Sequence, residues 1–353
     1  MTTQDTSPAK QDTSTILDEN RLLDVRGLKK HFPVKGGFIK RGVGTVKAVD
    51  GVDLFVNKGE TLGLVGESGC GKTTAGRTIM RLLDPTAGEI HFNDPKQGWV
   101  DLAKLERKQL TPIRPHIQII FQDPFSSLDP RMTVERIVGE PLAINRVASG
   151  QELKDRVAEL LRVVGMRPEY MSRYPHAFSG GQRQRLGIAR ALSLNPTMII
   201  CDEPVSALDV SIQAQVLNLL EDLQKDFNLT YLFVAHDLSV VEHISNRVAV
   251  MYVGRLVELA KTEELYYAPK HPYSEALMAA VPKPDPRHRD RPIKLPGEVA
   301  SPANPPPGCY FHPRCRYVKD ICKTEPPPLE EISPEHLVRC HFARELTLRG
   351  VVV

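Results

Sequence analysis

The sequence predicts an α/β fold built on a mainly parallel sheet. Three observations carry this. Strand-length apolar runs alternate with longer amphipathic stretches from about Leu22 to Met251, the runs are apolar throughout, and a Gly-rich loop directly follows one of them. The strands are read at Thr61–Val65, Ile117–Phe121, Met198–Cys201, Tyr231–Val234 and Val248–Tyr252, each rich in β-branched or aromatic residues. Between Gln122 and Leu194 a Gly/Pro/Ser loop gives way to helical spacing, with Leu153, Val157, Leu160, Leu161 and Val164 on one face, so a helical insertion is expected over 122–194. More than half of the 29 prolines lie after Ala268, which predicts a small, loop-rich appendage over 268–353. The opening MTTQDTSPAKQDTSTILDEN has no basic segment ahead of an apolar core; residues 1–20 read as a disordered polar arm rather than a secretory signal.

Composition narrows the function classes. The 353 residues allow two domains, or one large domain with an appendage. No stretch approaches the 18 to 20 apolar residues of a membrane-crossing helix, and hydrophobic residues make up 41%. Lys plus Arg (46) nearly balance Asp plus Glu (43), leaving +3, too little field to hold a phosphate backbone, so nucleic acid is not an expected partner. The six cysteines of an unexported chain are expected as reduced thiols, and clustered ones point to a metal.

GESGCGKT, Gly66 to Thr73, matches G-x-x-x-x-G-K-[ST] between the strand Thr61–Val65 and a helical run Thr74–Leu83. Glycines 66, 69 and 71 let the backbone bend into a nest of N–H donors, and the helix adds the positive end of its dipole, an arrangement suited to polyphosphate. Lys72 is placed to reach the β- and γ-phosphates and the Thr73 hydroxyl to ligate Mg²⁺; Cys70 reads as a small space-filler. Further along, MIICDEP is an apolar strand ending in two carboxylates that strand alternation points apart. Asp202 is assigned to Mg²⁺ and Glu203 to the base that deprotonates the attacking water. Gln122 follows HIQIIF, where its amide reaches the metal or the water, and His236 follows YLFVA, in reach of the γ-phosphate.

These residues in this order, with FSGGQRQR (Phe178 to Arg185) and SALD (Ser206 to Asp209), closely resemble the ATP-binding-cassette (ABC) transporter ATPases over about Leu22 to Tyr267. Phe178 stands where the family's commonest signature has Leu, a change at an apolar position. The resemblance implies a cassette over 21–267, with an antiparallel β subdomain beside the parallel core. It implies ATP contacts from Gly66, Glu67, Ser68, Gly69, Cys70, Gly71, Lys72, Thr73 and Thr74, and from Gln122, Asp202, Glu203 and His236. Phe32 is the implied adenine-stacking residue, with Phe38 its rival. Ser179, Gly180, Gly181 and Gln182 open another helix with free N–H donors. By resemblance they and Asp209 face the ATP of a partner subunit in a head-to-tail dimer, a paralogue by preference or a second copy.

HPYSEALMAAVPKPDP, LPGEVASPANPPPGC and the cysteines beyond resemble the C-terminal region of dipeptide and oligopeptide importer ATPases, nearest to the second ATPase subunit of dipeptide importers. This implies two transmembrane permease subunits, a periplasmic or extracellular solute-binding protein, and a peripheral seat on the cytoplasmic side of the inner membrane. Importers of nickel, glutathione or other small solutes share the tail, and a soluble non-transport cassette is the remaining alternative. Cys309, Cys315, Cys322 and Cys340 are spaced C-x5-C-x6-C-x17-C, and four thiols in a loop-rich segment invite a metal staple. Zinc usually brings C-x2-4-C pairs, while a [4Fe–4S] cluster takes four thiolates at wider gaps. Resemblance to importer ATPases with an iron–sulfur tail favours the cluster over Zn²⁺. The basic run KPDPRHRDRPIK reads as a solvated linker.

Overall fold

The computed structural model describes residues 18–34, 44–281 and 293–351. Most of the N-terminal arm, the rival Phe38 and most of the basic run lie outside these residues. The chain opens with long strands β1 (Arg21–Val34) and β2 (Gly44–Asn57), then β3 (Thr61–Val65) and helix α1 (Lys72–Ile79). A hairpin, β4 (Ala87–Asp94) and β5 (Gly98–Asp101), and a single turn, α2 (Arg107–Leu110), lead to β6 (Ile117–Ile120). Helices α3 (Val134–Ile144), α4 (Gly150–Val163) and α5 (Gly180–Leu192) follow. Next come β7 (Met198–Asp202), α6 (Val210–Phe227), β8 (Thr230–Val234), α7 (Leu238–Ile244), β9 (Arg247–Tyr252) and β10 (Arg255–Lys261). The C-terminal part holds α8 (Thr262–Tyr267), α9 (Pro272–Met278), α10 (Asp320–Thr324), β11 (Glu330–Ser333) and β12 (His336–Val338).

These strands form two sheets. The larger has the order β11-β12-β10-β9-β3-β8-β7-β6, and its run from β9 to β6 is parallel. Every residue of β3, β7, β8 and β9 is buried, as expected of strands covered on both faces. The smaller sheet, β2-β1-β4-β5, is wholly antiparallel. In β2 the apolar Val52, Leu54 and Val56 alternate inward, so this sheet packs one face only. The helical insertion is present: Ile137, Val138 and Leu142 of α3 are buried with Val157 and Leu161 of α4. A Cβ on Gly139 would come within 2.7 Å of Leu153 Cδ2, so the glycine lets α3 and α4 pack closely.

The C-terminal part is loop-rich, with only short elements, and it is also joined to the main sheet. β12 pairs antiparallel with β10, Glu258 opposite Val338, and β11 adds a further strand, so the tail extends the main sheet. His336 fixes this seam, its Nε2 2.8 Å from Glu258 Oε1 and its Nδ1 3.3 Å from Glu264 Oε2. The buried Glu258 carboxylate also accepts the backbone N–H groups of Lys270 (2.7 Å) and His271 (2.9 Å), which satisfies a charge that would otherwise be costly to bury. Strands of four and three residues among prolines leave almost no periodic signal.

Candidate functional site

Four segments far apart in sequence meet because β3, β8, β7 and β6 are parallel neighbours whose carboxyl ends share one edge of the sheet. The loops leaving that edge carry Gly66, His236, Glu203 and Gln122, and ligands bind α/β sheets in the crevice outside such ends. A cavity of about 670 Å³ opens there. Ser68, Gly69, Gly71, Lys72, Thr73 and Thr74 of the phosphate loop and α1 line it together with Gln122, Glu203 and His236. Val46 and Ala48 of β2 and Pro302 of the C-terminal part complete the lining.

The loop between β3 and α1 tolerates no side chain at two glycines. Gly66 (φ 149°) and Gly71 (φ 106°) lie in backbone regions L-residues avoid, and a Cβ would collide with the carbonyl oxygens of Met251 and Ala48 respectively. Lys72 is 5% exposed and donates to the carbonyls of Gly66 (2.7 Å) and Glu67 (3.2 Å). It is thereby stored beside the α1 N-terminus, where incoming phosphate oxygens compete for it.

The two adjacent carboxylates diverge. Asp202, 2% exposed, accepts the Thr73 hydroxyl at 2.8 Å and Arg77 Nη2 at 3.3 Å. Glu203 turns the other way, its Oε2 accepting Gln122 Nε2 at 2.8 Å and lying 3.1 Å from His236 Nδ1. Its backbone has φ 49°, left-handed for a residue with a side chain, and is held by its N–H donating to Val234 O at 2.9 Å. Such backbone costs about 1–3 kcal/mol and persists where the surroundings impose it.

The remaining sequence-predicted residues lie elsewhere. Ser179 caps α5 in a reciprocal box: its hydroxyl accepts Gln182 N–H at 3.4 Å and its own N–H donates to Gln182 Oε1 at 3.2 Å. Asp209 is the N-cap residue of α6, and a Cβ at Gly181 would collide with Ile212 in that helix, so the two segments pack as a unit. Ser179, Gly180, Gly181, Gln182 and Asp209 do not line the cavity. Phe32 is 37% exposed and pairs in register with Val46, which lines the cleft where Phe32 does not. Of the loop residues, Cys70 is buried against Lys72 (Sγ to Nζ 4.0 Å), and Glu67 gives its carboxylate to Arg314. Arg77, Pro302, Tyr273 and Arg314 were not anticipated, because they come from a free helix position and from the proline-rich tail, where sequence spacing signals no ligand.

In the tail, Cys309, Cys315, Cys322 and Cys340 are free thiols around one small enclosed cavity, with Phe311, Pro327 and Phe342 among its walls. Burial raises the Cys309 thiol and pushes Cys315 up to about 11 and Cys340 to about 12, so without a cation to bind them these groups stay protonated. Among the described residues no helix is long and apolar enough to cross a membrane.

The family model described as "ABC transporter" matches residues 49–206, and "Oligopeptide/dipeptide transporter, C-terminal region" matches 257–322. The oligopeptide transport ATP-binding protein AppF of Bacillus subtilis is 54% identical over 332 residues, 93% of this chain and 99% of that protein. A probable peptide ABC transporter ATP-binding protein of Sinorhizobium fredii, y4tS, is 51% identical over 91% of this chain and 89% of its own. Among solved structures, a dimeric ATP-binding cassette in a post-hydrolysis state bound to ADP and Pi superposes with a TM-score of 0.59 at 29% identity, covering 68% of this chain and 98% of that one. CbiO1 from Clostridium perfringens, part of the ABC transporter complex cbiONQ, gives 0.59 at 27% identity, covering 70% and 91%. The phosphate loop, the paired carboxylates and the C-terminal region thus agree with sequence likeness along nearly the whole length: this chain belongs to the ABC transporter ATPases that carry the oligopeptide/dipeptide transporter C-terminal region.

Proposed function

We propose that this chain hydrolyses ATP to power the import of dipeptides and oligopeptides through permease subunits it does not itself contain. The observation that carries the reading is the division of the site. Lys72, Thr73, Glu203, Gln122 and His236 line one cleft, with Asp202 bonded to Thr73, while the capped N-terminus of α5 does not line it. One nucleotide is then held by the cleft of one subunit and the α5 N–H groups of another, in a dimer with a paralogous subunit. Glu203 takes the proton of the attacking water, and Gln122 and His236 orient its carboxylate. The Thr73 hydroxyl and Asp202, already 2.8 Å apart, form a hard-oxygen donor pair that fits Mg²⁺, which supplies charge neutralisation on the phosphates.

Binding energy that favours the closed dimer is what moves the permease, since ATP shifts the equilibrium only by its preference for that form. An apolar groove of about 360 Å³ supports a docking place. Ile113 and Ile119 line it on the core side and Pro141 and Ile144 on α3, with Ile144 72% exposed. Such a seat belongs on the cytoplasmic side of the inner membrane, with a solute-binding protein delivering cargo from outside. In vesicles holding the assembled complex, a binding protein loaded with di- or oligopeptide is expected to stimulate ATP hydrolysis. Stimulation by nickel or glutathione but not by peptide would overturn the peptide assignment.

Four free thiols around one cavity, together with their wide spacing in sequence, support reading the tail as a [4Fe–4S] site ahead of Zn²⁺. A bound cluster would staple the segment around Cys309, Cys315, Cys322 and Cys340. Protein purified without oxygen is expected to be brown, with iron and sulfide in equal amounts. A colourless sample with stoichiometric zinc would contradict this.

A further inference from the structure

We infer that Arg314 is a positioning residue for the phosphate loop, through which the four-cysteine segment sets how tightly the cleft holds MgATP. The hinge of the argument is Glu67, the loop's second residue. Its N–H donates to Tyr273 Oη at 2.9 Å, and its carboxylate accepts both Arg314 Nη1 (2.8 Å) and Nη2 (3.2 Å). Its carbonyl accepts Lys72 Nζ and the Cys70 N–H, each at 3.2 Å. Glu67, which shares with Gly66 the holding of Lys72, is therefore itself held, on its other two polar groups, by the C-terminal region.

Arg314 is well placed for this role. Its side chain is 9% exposed, and a two-pronged guanidinium–carboxylate pair fixes orientation as well as distance. Burial alone disfavours its charge, and the two bonds to the Glu67 carboxylate offset that cost. It precedes Cys315 directly in the loop that begins at Cys309, and Phe311 of that loop is buried against Tyr252, Tyr273 and His271. Whatever the thiols bind thus fixes the arginine. The C-terminal region also reaches β2: Tyr310 Oη donates to Asp50 Oδ2 at 2.9 Å, and upstream of the cysteines Pro302 O accepts the Lys47 N–H at 2.9 Å, with Pro302 itself on the cleft. The segment is thus tied both to the phosphate loop and to β2, and the coupling is reciprocal: bound MgATP steadies the cysteine segment in turn.

This rests on the cleft being the nucleotide site, but not on which metal the thiols hold. The test measures the Kd of a fluorescent ATP analogue with Mg²⁺ on the full chain and its variants, together with KM and kcat of the same variants assembled with the ATPase subunit this chain pairs with. Arg314→Ala is expected to raise Kd and KM about tenfold while kcat falls by a smaller factor. Arg314→Lys recovers part of the loss, because a point charge replaces one prong of two. Glu67→Ala reproduces the loss, and Arg314→Ala adds nothing on top of it, as residues acting through one contact do. MgATP is expected to slow alkylation of the four tail thiols in the wild type but not in Arg314→Ala. Unchanged nucleotide affinity in Arg314→Ala, or an equal further loss in the Glu67→Ala background, would overturn the inference. If Arg314→Ala does not fold, unchanged affinity in Glu67→Ala does the same. Lys72→Ala separates the two readings: if it binds nucleotide normally, the cleft assignment fails; if it loses binding while Arg314→Ala keeps it, only the coupling fails.

Discussion

Glu203→Gln is expected to bind MgATP as tightly as the wild type and to lose turnover by a factor of about 10² to 10⁴, the usual contribution of a positioned general base. The amide is nearly isosteric and still offers an oxygen to Gln122 Nε2 and to His236, the partners that hold the carboxylate at 2.8 and 3.1 Å. The loop at φ 49° is unchanged in chemistry, and Asp202 keeps its bond to Thr73. What disappears is the capacity to accept a proton from water in line with the γ-phosphate. Nucleotide titration and phosphate release together check this; steady-state hydrolysis close to wild type would defeat the assignment of Glu203 as the base.

The second large effect concerns Ser179. Asp caps helices about as well as Ser, so Ser179→Asp keeps the bond to the Gln182 N–H and leaves α5 folded. It also sets a negative charge at the α5 N-terminus, where the partner's γ-phosphate is to be received. In the assembled complex turnover is expected to fall about 100-fold or more, the scale of one lost donor to a transition-state oxygen with repulsion added. The chain's own cleft, which Ser179 does not line, keeps its nucleotide affinity. Hydrolysis at the wild-type rate would show that α5 plays no part in it.

Much of this site is legible in the sequence because its chemistry sits where the parallel strands end. Strand expectations at Thr61–Val65 and Met198–Cys201 match β3 and β7 to within a residue, and fully apolar runs of that length have few other uses in such a chain. The long β1–β2 pair was not legible. Its register shifts between Val25 and Leu28 and between Lys30 and His31 break the two-residue alternation that would reveal it. The helical run expected to reach Leu83 stops at Ile79, where Met80 donates back to Gly76 O and Arg81 takes a positive φ. Phe32 is the expected adenine-stacking residue, whereas the cleft is lined by Val46 and Ala48 of the strand it pairs with; spacing from the phosphate loop does not say which of two paired strands faces a cleft. Pro302 and Arg314 were beyond reach for another reason. They act across more than two hundred residues of sequence from proline-rich loops, and no local pattern encodes a contact of that kind.

The central claim is that ATP is hydrolysed only when two subunits clamp it. The most direct measurement is the hydrolysis rate per subunit as this chain and the ATPase subunit it pairs with are diluted together, with association followed by sedimentation. The rate per subunit is expected to fall with the dimer fraction and to be negligible where only monomers sediment. A rate that stays constant through that dilution would contradict the account.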